Sequence, residues 1–165
     1  MRRLSFLCLA TLAALAACNS NDAFDQRWKA TAPPMTANPA ALLAGKWEGT
    51  WQSDSSDYHG HLQSIITLSG PAIVDKKEVQ QYVATIEMSY IDLVPVKHYD
   101  VKLNASKMPD GRIHFEGVKD RGYYEGGLFR YDGYIDPGKD LFFCEYNSEK
   151  DVGTFKMSRI TAENQ

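Results

Sequence analysis

Between Lys46 and Arg159 the chain alternates apolar and polar side chains in eight short runs, each closed by turn chemistry. Side chains of a strand point to opposite faces in turn, so period-two alternation marks a strand with one buried face. The runs are Lys46 to Gln52, Gly60 to Leu68, Gln81 to Ser89, Lys97 to Asn104, Arg112 to Val118, Leu128 to Ile135, Asp140 to Tyr146 and Val152 to Arg159. Between them lie the polar Ser53–Asp57, Ser69-Gly70-Pro71 with the charged Asp75–Glu78, Leu93-Val94-Pro95, Met108-Pro109-Asp110-Gly111, the loop Asp120–Gly126 and Asp136-Pro137-Gly138-Lys139. Pro presets one turn dihedral, Asp caps its own backbone and Gly accepts a positive φ, so these segments are turns with a mechanism.

Eight brief strands in succession predict an all-β fold, an eight-stranded antiparallel up-and-down barrel or, as the alternative, a barrel-like sandwich. Closure also removes the edge strands that an open sheet would present to other chains. The first strand places Trp47, Gly49 and Trp51 on one face, and two tryptophans there require a core. The other strands supply Leu62, Ile66, Ile86, Val101, Leu103, Ile113, Phe142, Cys144, Phe155 and Met157 on the matching face. Gly49, Gly117, Gly133 and Gly153 fall on inward positions, where a small residue lets a barrel bend or makes room for a bulky neighbour.

Trp51, Tyr82, Tyr99, Phe115, Tyr131 and Tyr146 also read as inward. An eight-stranded barrel is either filled by side chains or holds one small ligand. Two readings follow. In the first, these six aromatics line a pocket for an apolar or amphipathic molecule, the phenols giving polar handles. In the second, the core is solid and the protein is a structural or interaction module working through its loops, with Tyr123 and Tyr124 foremost.

The first 42 residues do not share this pattern. Met1-Arg2-Arg3 is a basic start, and Leu4 to Ala17 is an apolar run too short for comfortable bilayer crossing. Leu15-Ala16-Ala17-Cys18 then resembles the lipobox of bacterial lipoproteins. That resemblance implies diacylglyceryl transfer to the Cys18 sulfur, cleavage before it and acylation (palmitate or a similar chain) of the new amino terminus. It makes residues 1–17 a signal peptide and anchors the protein to a membrane at Cys18, since several acyl chains hold where one is marginal. Asn19, in place of an aspartate, implies the outer membrane and a periplasm-facing domain. Residues 18–42, with Ala32-Pro33-Pro34 and Asn38-Pro39, read as a disordered tether. The barrel domain is expected over residues 43–160, with a short tail at 161–165.

Loss of Arg2 and Arg3 leaves 16 basic against 21 acidic residues, a net charge near −5, which argues against nucleic acid as a partner. Cys8 leaves with the signal and Cys18 is acylated, so Cys144 has no disulfide partner and reads as a small buried hydrophobe.

Gly45-Lys46-Trp47 resembles the G-x-W element that opens lipocalins and other calycins. The resemblance implies a calycin-like barrel over residues 45–160, with Trp47 closing its base and Arg159, near the end of the last strand, packed upon it. Trp47, Gly49, Trp51 and Ser53, with His59-Gly60-His61-Leu62 and Gly153-Thr154-Phe155-Lys156, are also similar to a set of small exported bacterial W-x-G-x-W proteins without assigned activity.

No G-x-S-x-G, H-E-x-x-H or phosphate-cradling glycine loop occurs, so neither catalysis nor a cofactor is expected. His59 and His61, two apart, share a strand face as a metal site would need, but no third ligand is fixed by spacing. We therefore expect no metal site.

Overall fold

The computed structural model describes residues 23–32, 43–90 and 97–161. The signal peptide, Cys18 and the residues beyond 161 lie outside them. Eight strands are present: β1 Gly45–Ser53, β2 His59–Val74, β3 Lys77–Tyr90, β4 Lys97–Lys107, β5 Ile113–Asp120, β6 Leu128–Asp136, β7 Leu141–Asn147 and β8 Val152–Arg159. Each pairs antiparallel with its sequence neighbour, and β1 pairs with β8, so the sheet is a closed up-and-down barrel.

The inward sets are those that alternation assigns. Trp47, Trp51, Leu62, Ile66, Val101, Leu103, Phe115, Phe142, Phe155 and Met157 are buried together in one core. At the inward glycines the neighbouring strand comes so close that no side chain fits. A Cβ on Gly49 would overlap the Lys156 carbonyl oxygen of β8. One on Gly133 would overlap the Phe143 carbonyl and stand 2.7 Å from the Phe115 ring. These glycines are the places where aromatic rings fold over bare backbone and the sheet curls shut.

Two features differ from the sequence expectation. The β2–β3 hairpin does not stop at Leu68. It continues past the barrel to a two-residue tip, Asp75-Lys76, both with positive φ (48° and 65°), as a twist-matched hairpin turn requires. The chain absorbs Ser69-Gly70 as a register shift between Leu68 and Gly70. Pro71 is accommodated because β1 reaches only Ile66, leaving that flank of β2 without a neighbour.

The second difference lies before the barrel. Residues 23–30, expected as extended tether, form a helix, α1, closed by the Thr31 amide and hydroxyl on the Arg27 carbonyl (2.9 and 2.8 Å). Phe24 and Trp28, one turn apart, stack at 5.9 Å and give the helix an apolar stripe. Phe24 is buried, with its ring 5.3 Å from that of His98 on the outer wall, and the Lys46 ammonium lies over Trp28 at 5.4 Å. Lys46, Ile65 and Thr85 point outward in register, yet all three are buried. Helix α1 lies on this part of the wall.

Strand closure makes a specific stability prediction. Gly49→Ala is expected to cost about 3 kcal/mol or more, because β1 and β8 must move apart. Gly111→Ala, at φ 89° in an open turn, is expected to cost only about 1–2 kcal/mol of backbone strain. Urea unfolding followed by tryptophan fluorescence compares the two; equal losses would mean that the β1–β8 seam is not tight.

Candidate functional site

The antiparallel order sorts the connections into two ends. The β2–β3, β4–β5 and β6–β7 turns lie at one end with the start of β1 and the end of β8. The β1–β2, β3–β4, β5–β6 and β7–β8 connections lie at the other.

The first end is solid. Trp47 is fully buried and its indole N–H donates to the Leu43 carbonyl at 2.9 Å. The Arg159 guanidinium covers the Trp47 ring at 4.2 Å, donates to Asp140 Oδ1 at 3.0 Å and to the Ala44 carbonyl at 2.7 Å. Desolvation lowers the Arg159 pKa, and Asp140 opposes that shift. Phe142 packs between Trp47 (5.8 Å) and Phe115 (4.6 Å).

The other end holds a cleft of about 260 Å³. Trp51, Tyr99, Phe129, Tyr131, Tyr146 and Phe155 form its aromatic walls, and Lys97, Arg121, Glu125, Lys150 and Asp151 bring charge to it. Of the six aromatics read from sequence as pocket-lining, the structure brings four together here: Trp51, Tyr99, Tyr131 and Tyr146. Tyr82 and Phe115 do not line the cleft. Tyr82 is hydrogen-bonded toward the Leu43 backbone at the solid end, and Phe115 is fully buried in the stack under Trp47. Alternation told which face they occupy but not how deep along the barrel they lie.

Each wall residue is positioned by a specific contact. The Trp51 indole N–H donates to the Ser89 carbonyl (3.0 Å), and its ring meets Tyr90 edge-on at 4.9 Å. Gly60, between them in register, leaves the room: a Cβ there would overlap the Ser89 carbonyl. The Tyr146 hydroxyl donates to Asp151 Oδ2 (3.1 Å), while Ser53 donates to Asp151 Oδ1 (2.6 Å), so both carboxylate oxygens are engaged. The Tyr99 hydroxyl meets the Met88 sulfur at 3.4 Å and also faces the Tyr131 hydroxyl. The Tyr131 hydroxyl is shut off from water, with the Tyr99 hydroxyl beside it and no well-formed hydrogen bond among the described residues.

Arg121 is the residue that sequence reasoning missed. It sits at the start of a compact loop held by Gly122, Gly126 and Gly127, all with positive φ, and by Gly127 N–H to the Gly122 carbonyl (2.9 Å). This loop turns Arg121 inward and leaves Tyr123 and Tyr124 exposed on a short 3₁₀ turn, Tyr123–Glu125, with Tyr124 at the rim of the cleft. The Arg121 guanidinium lies over Tyr99 (4.5 Å) and Phe129 (5.1 Å), and its side chain is only 9% exposed. Its ion-pair partner, Glu125 (3.3 Å), is shared with Lys97 (3.4 Å). The sole hint in the sequence was the Asp120-Arg121-Gly122 turn, which says nothing of what the arginine faces.

The other candidates are placed elsewhere. His59 and His61 are exposed on the outer wall, and no group of three or more His, Cys, Asp or Glu suited to a metal occurs among the described residues. His98 pairs with Glu87 (2.5 Å) and His114 lies 3.3 Å from Asp132, both across strands. Cys144 is buried, and burial pushes its thiol pKa well up, so it is not a thiolate nucleophile.

No protein-family model, no curated protein and no solved structure matches the chain.

The cleft phenols carry a pH signature. Burial disfavours phenolate, so Tyr131 is pushed up to about 12, and Tyr99 and Tyr146 are also raised, with the neighbouring Tyr131 and the Asp151 carboxylate adding to the respective shifts. Tyrosines of an unfolded chain ionise near pH 10. The stability these groups confer is therefore complete below about pH 10 and is lost as pH climbs toward about 12. In an ultraviolet phenolate titration, part of the nine tyrosines should ionise only together with loss of near-ultraviolet dichroism. Smooth ionisation of all nine near pH 10 in a folded barrel would contradict the buried placement.

Proposed function

We propose that this is a lipid-anchored protein of the bacterial cell envelope, held by acylated Cys18 in the outer membrane and facing the periplasm, whose barrel binds one small apolar or amphipathic molecule. The observation that carries the binding reading is the aromatic cleft at the loop end of the barrel, above a solid base. Its volume is below the ~300–1,000 Å³ of drug-sized sites, which favours a compact ligand over a long chain. We assign it no reaction and no cofactor. The anchor reading rests on Leu15-Ala16-Ala17-Cys18 after a basic and apolar start. Cys18 precedes residue 23, the first described residue of helix α1, by five positions, so an anchor there would lie within about 17 Å of it at ~3.4 Å per residue.

A second reading has its own support. Tyr123 and Tyr124 are 76% and 96% exposed on the mouth loop, and Tyr58 is exposed at the same end. Tyrosines so displayed suit a contact surface for another envelope protein. Mutations would then matter on the loops rather than inside the cleft.

Two measurements test these readings. Labelled palmitate is expected to enter the wild type and not Cys18→Ser; equal labelling of both refutes the anchor. Native mass spectrometry of protein purified gently from its own host is expected to show an added mass that is lost on denaturation. A clean apo mass, with partner capture abolished by Tyr123→Ser/Tyr124→Ser, would favour the loop surface instead.

A further inference from the structure

The cleft is supplied with hydrogen-bond donors and short of acceptors. Arg121 brings five N–H donors on a rigid planar fork. Among the described residues Glu125 takes one of them, and Nε is buried without an acceptor. The Tyr131 hydroxyl, on the cleft wall, is likewise buried, faces the Tyr99 hydroxyl and makes no well-formed hydrogen bond among the described residues. The Tyr99 hydroxyl meets the Met88 thioether and that same phenol. Against these stand two carboxylates. Both oxygens of Asp151 are taken by Ser53 and Tyr146, and Glu125 is divided between Lys97 and Arg121. Arg121, Lys97 and Glu125 together carry one excess positive charge. A buried guanidinium without enough acceptors is costly, and the aromatic faces of Tyr99 and Phe129 offset only part of the loss of water.

We propose that the cleft takes a small organic monoanion, its carboxylate received by Arg121 with Tyr131 as the second donor, and its apolar body laid against Trp51, Phe129 and Phe155. The fork of Arg121 matches the two oxygens of a carboxylate, which would supply the missing acceptors and cancel the excess charge at once. Tyr131 stays protonated throughout the physiological range and donates. The aromatic walls suit a flat or compact body, and the small volume favours one over a long acyl chain. This proposal rests on the barrel being a binding protein, and it narrows that reading from any amphipathic molecule to anions.

The test uses the intact protein and a matched pair of probes, phenylacetate and its neutral counterpart phenylacetamide, with Trp51 fluorescence and calorimetry as readouts. Wild type is expected to bind phenylacetate roughly tenfold or more tightly than the amide, with the preference shrinking as salt is added. Arg121→Gln should bring the two affinities together, and Tyr131→Phe should reduce the preference in part. Lys102→Gln, the same charge change on the exposed outer wall, should keep the preference. Circular dichroism confirms that each variant is folded; if Arg121→Gln is not, Arg121→Lys, which keeps the charge and loses the fork, is expected to weaken the preference severalfold. Equal binding of acid and amide by wild type would overturn the anion assignment and leave the binding barrel standing. Binding of neither probe, in a protein that also purifies without bound mass, would overturn both.

Discussion

Arg159 lying on Trp47 joins the last strand of the barrel to the first. The two residues face each other in the β1–β8 register across more than a hundred positions of sequence, so this seam is the least local contact in the fold. Every other strand pair is a hairpin closed by a short connection. Bringing distant segments together costs chain entropy that only the completed contact returns. Here the contact is a buried indole capped by a guanidinium that also ties down the Ala44 carbonyl and the Asp140 carboxylate of the β6–β7 turn. One side chain thus fastens the start of β1, the end of β8 and an intervening turn, and the barrel has a sealed base.

Sealing one end decides where chemistry can occur. The aromatic residues divide by height rather than by type. Trp47, Phe115 and Phe142 stack into the base, while Trp51, Tyr131, Tyr146 and Phe155 stand around a space that the loops do not fill. The walls of that space are rigid. Trp51 is pinned to Ser89, Tyr146 to Asp151, and Tyr131 is packed between Phe129 and Phe155 at ring separations of 6.3 and 6.0 Å. A site built this way is shaped before any ligand enters, which lowers the ordering cost of binding.

The fold was legible because alternation is a local property. All eight strands and the facing of their residues could be read from Lys46 to Arg159, and the turns announced themselves through Pro, Asp and Gly. What alternation does not encode is position along the barrel axis. Tyr82 and Tyr99 look alike in sequence, yet the register of β3 against β4 pairs Tyr82 with Leu103 toward the base, and Tyr99 lies nearer the mouth, opposite Ile86. Arg121 was invisible for a related reason. Its meaning comes from Tyr99 and Phe129, on strands before and after it, and not from its neighbours in the loop. Helix α1 was hidden because Phe24 and Trp28 were too few to promise a core alone; the outer wall at His98 and Lys46 provides the other half.

The β2–β3 hairpin puts two regimes in one ladder. As far as Ile66 on β2 and Gln80 on β3 its strands belong to a cylinder and have a neighbouring strand on both sides. Beyond them, from Ala72 to Val79, the same two strands run on as a ribbon paired only with each other among the described residues, and Ile73 stands largely in solvent. A two-stranded ribbon is only marginally stable in water, so its amides open by local fraying, whereas those of the cylinder open only when the barrel does. Pro71, Lys76 and Lys77 along its free flanks discourage another chain from adding a strand there. The projection can breathe on its own timescale without loosening the cylinder to which it is continuous.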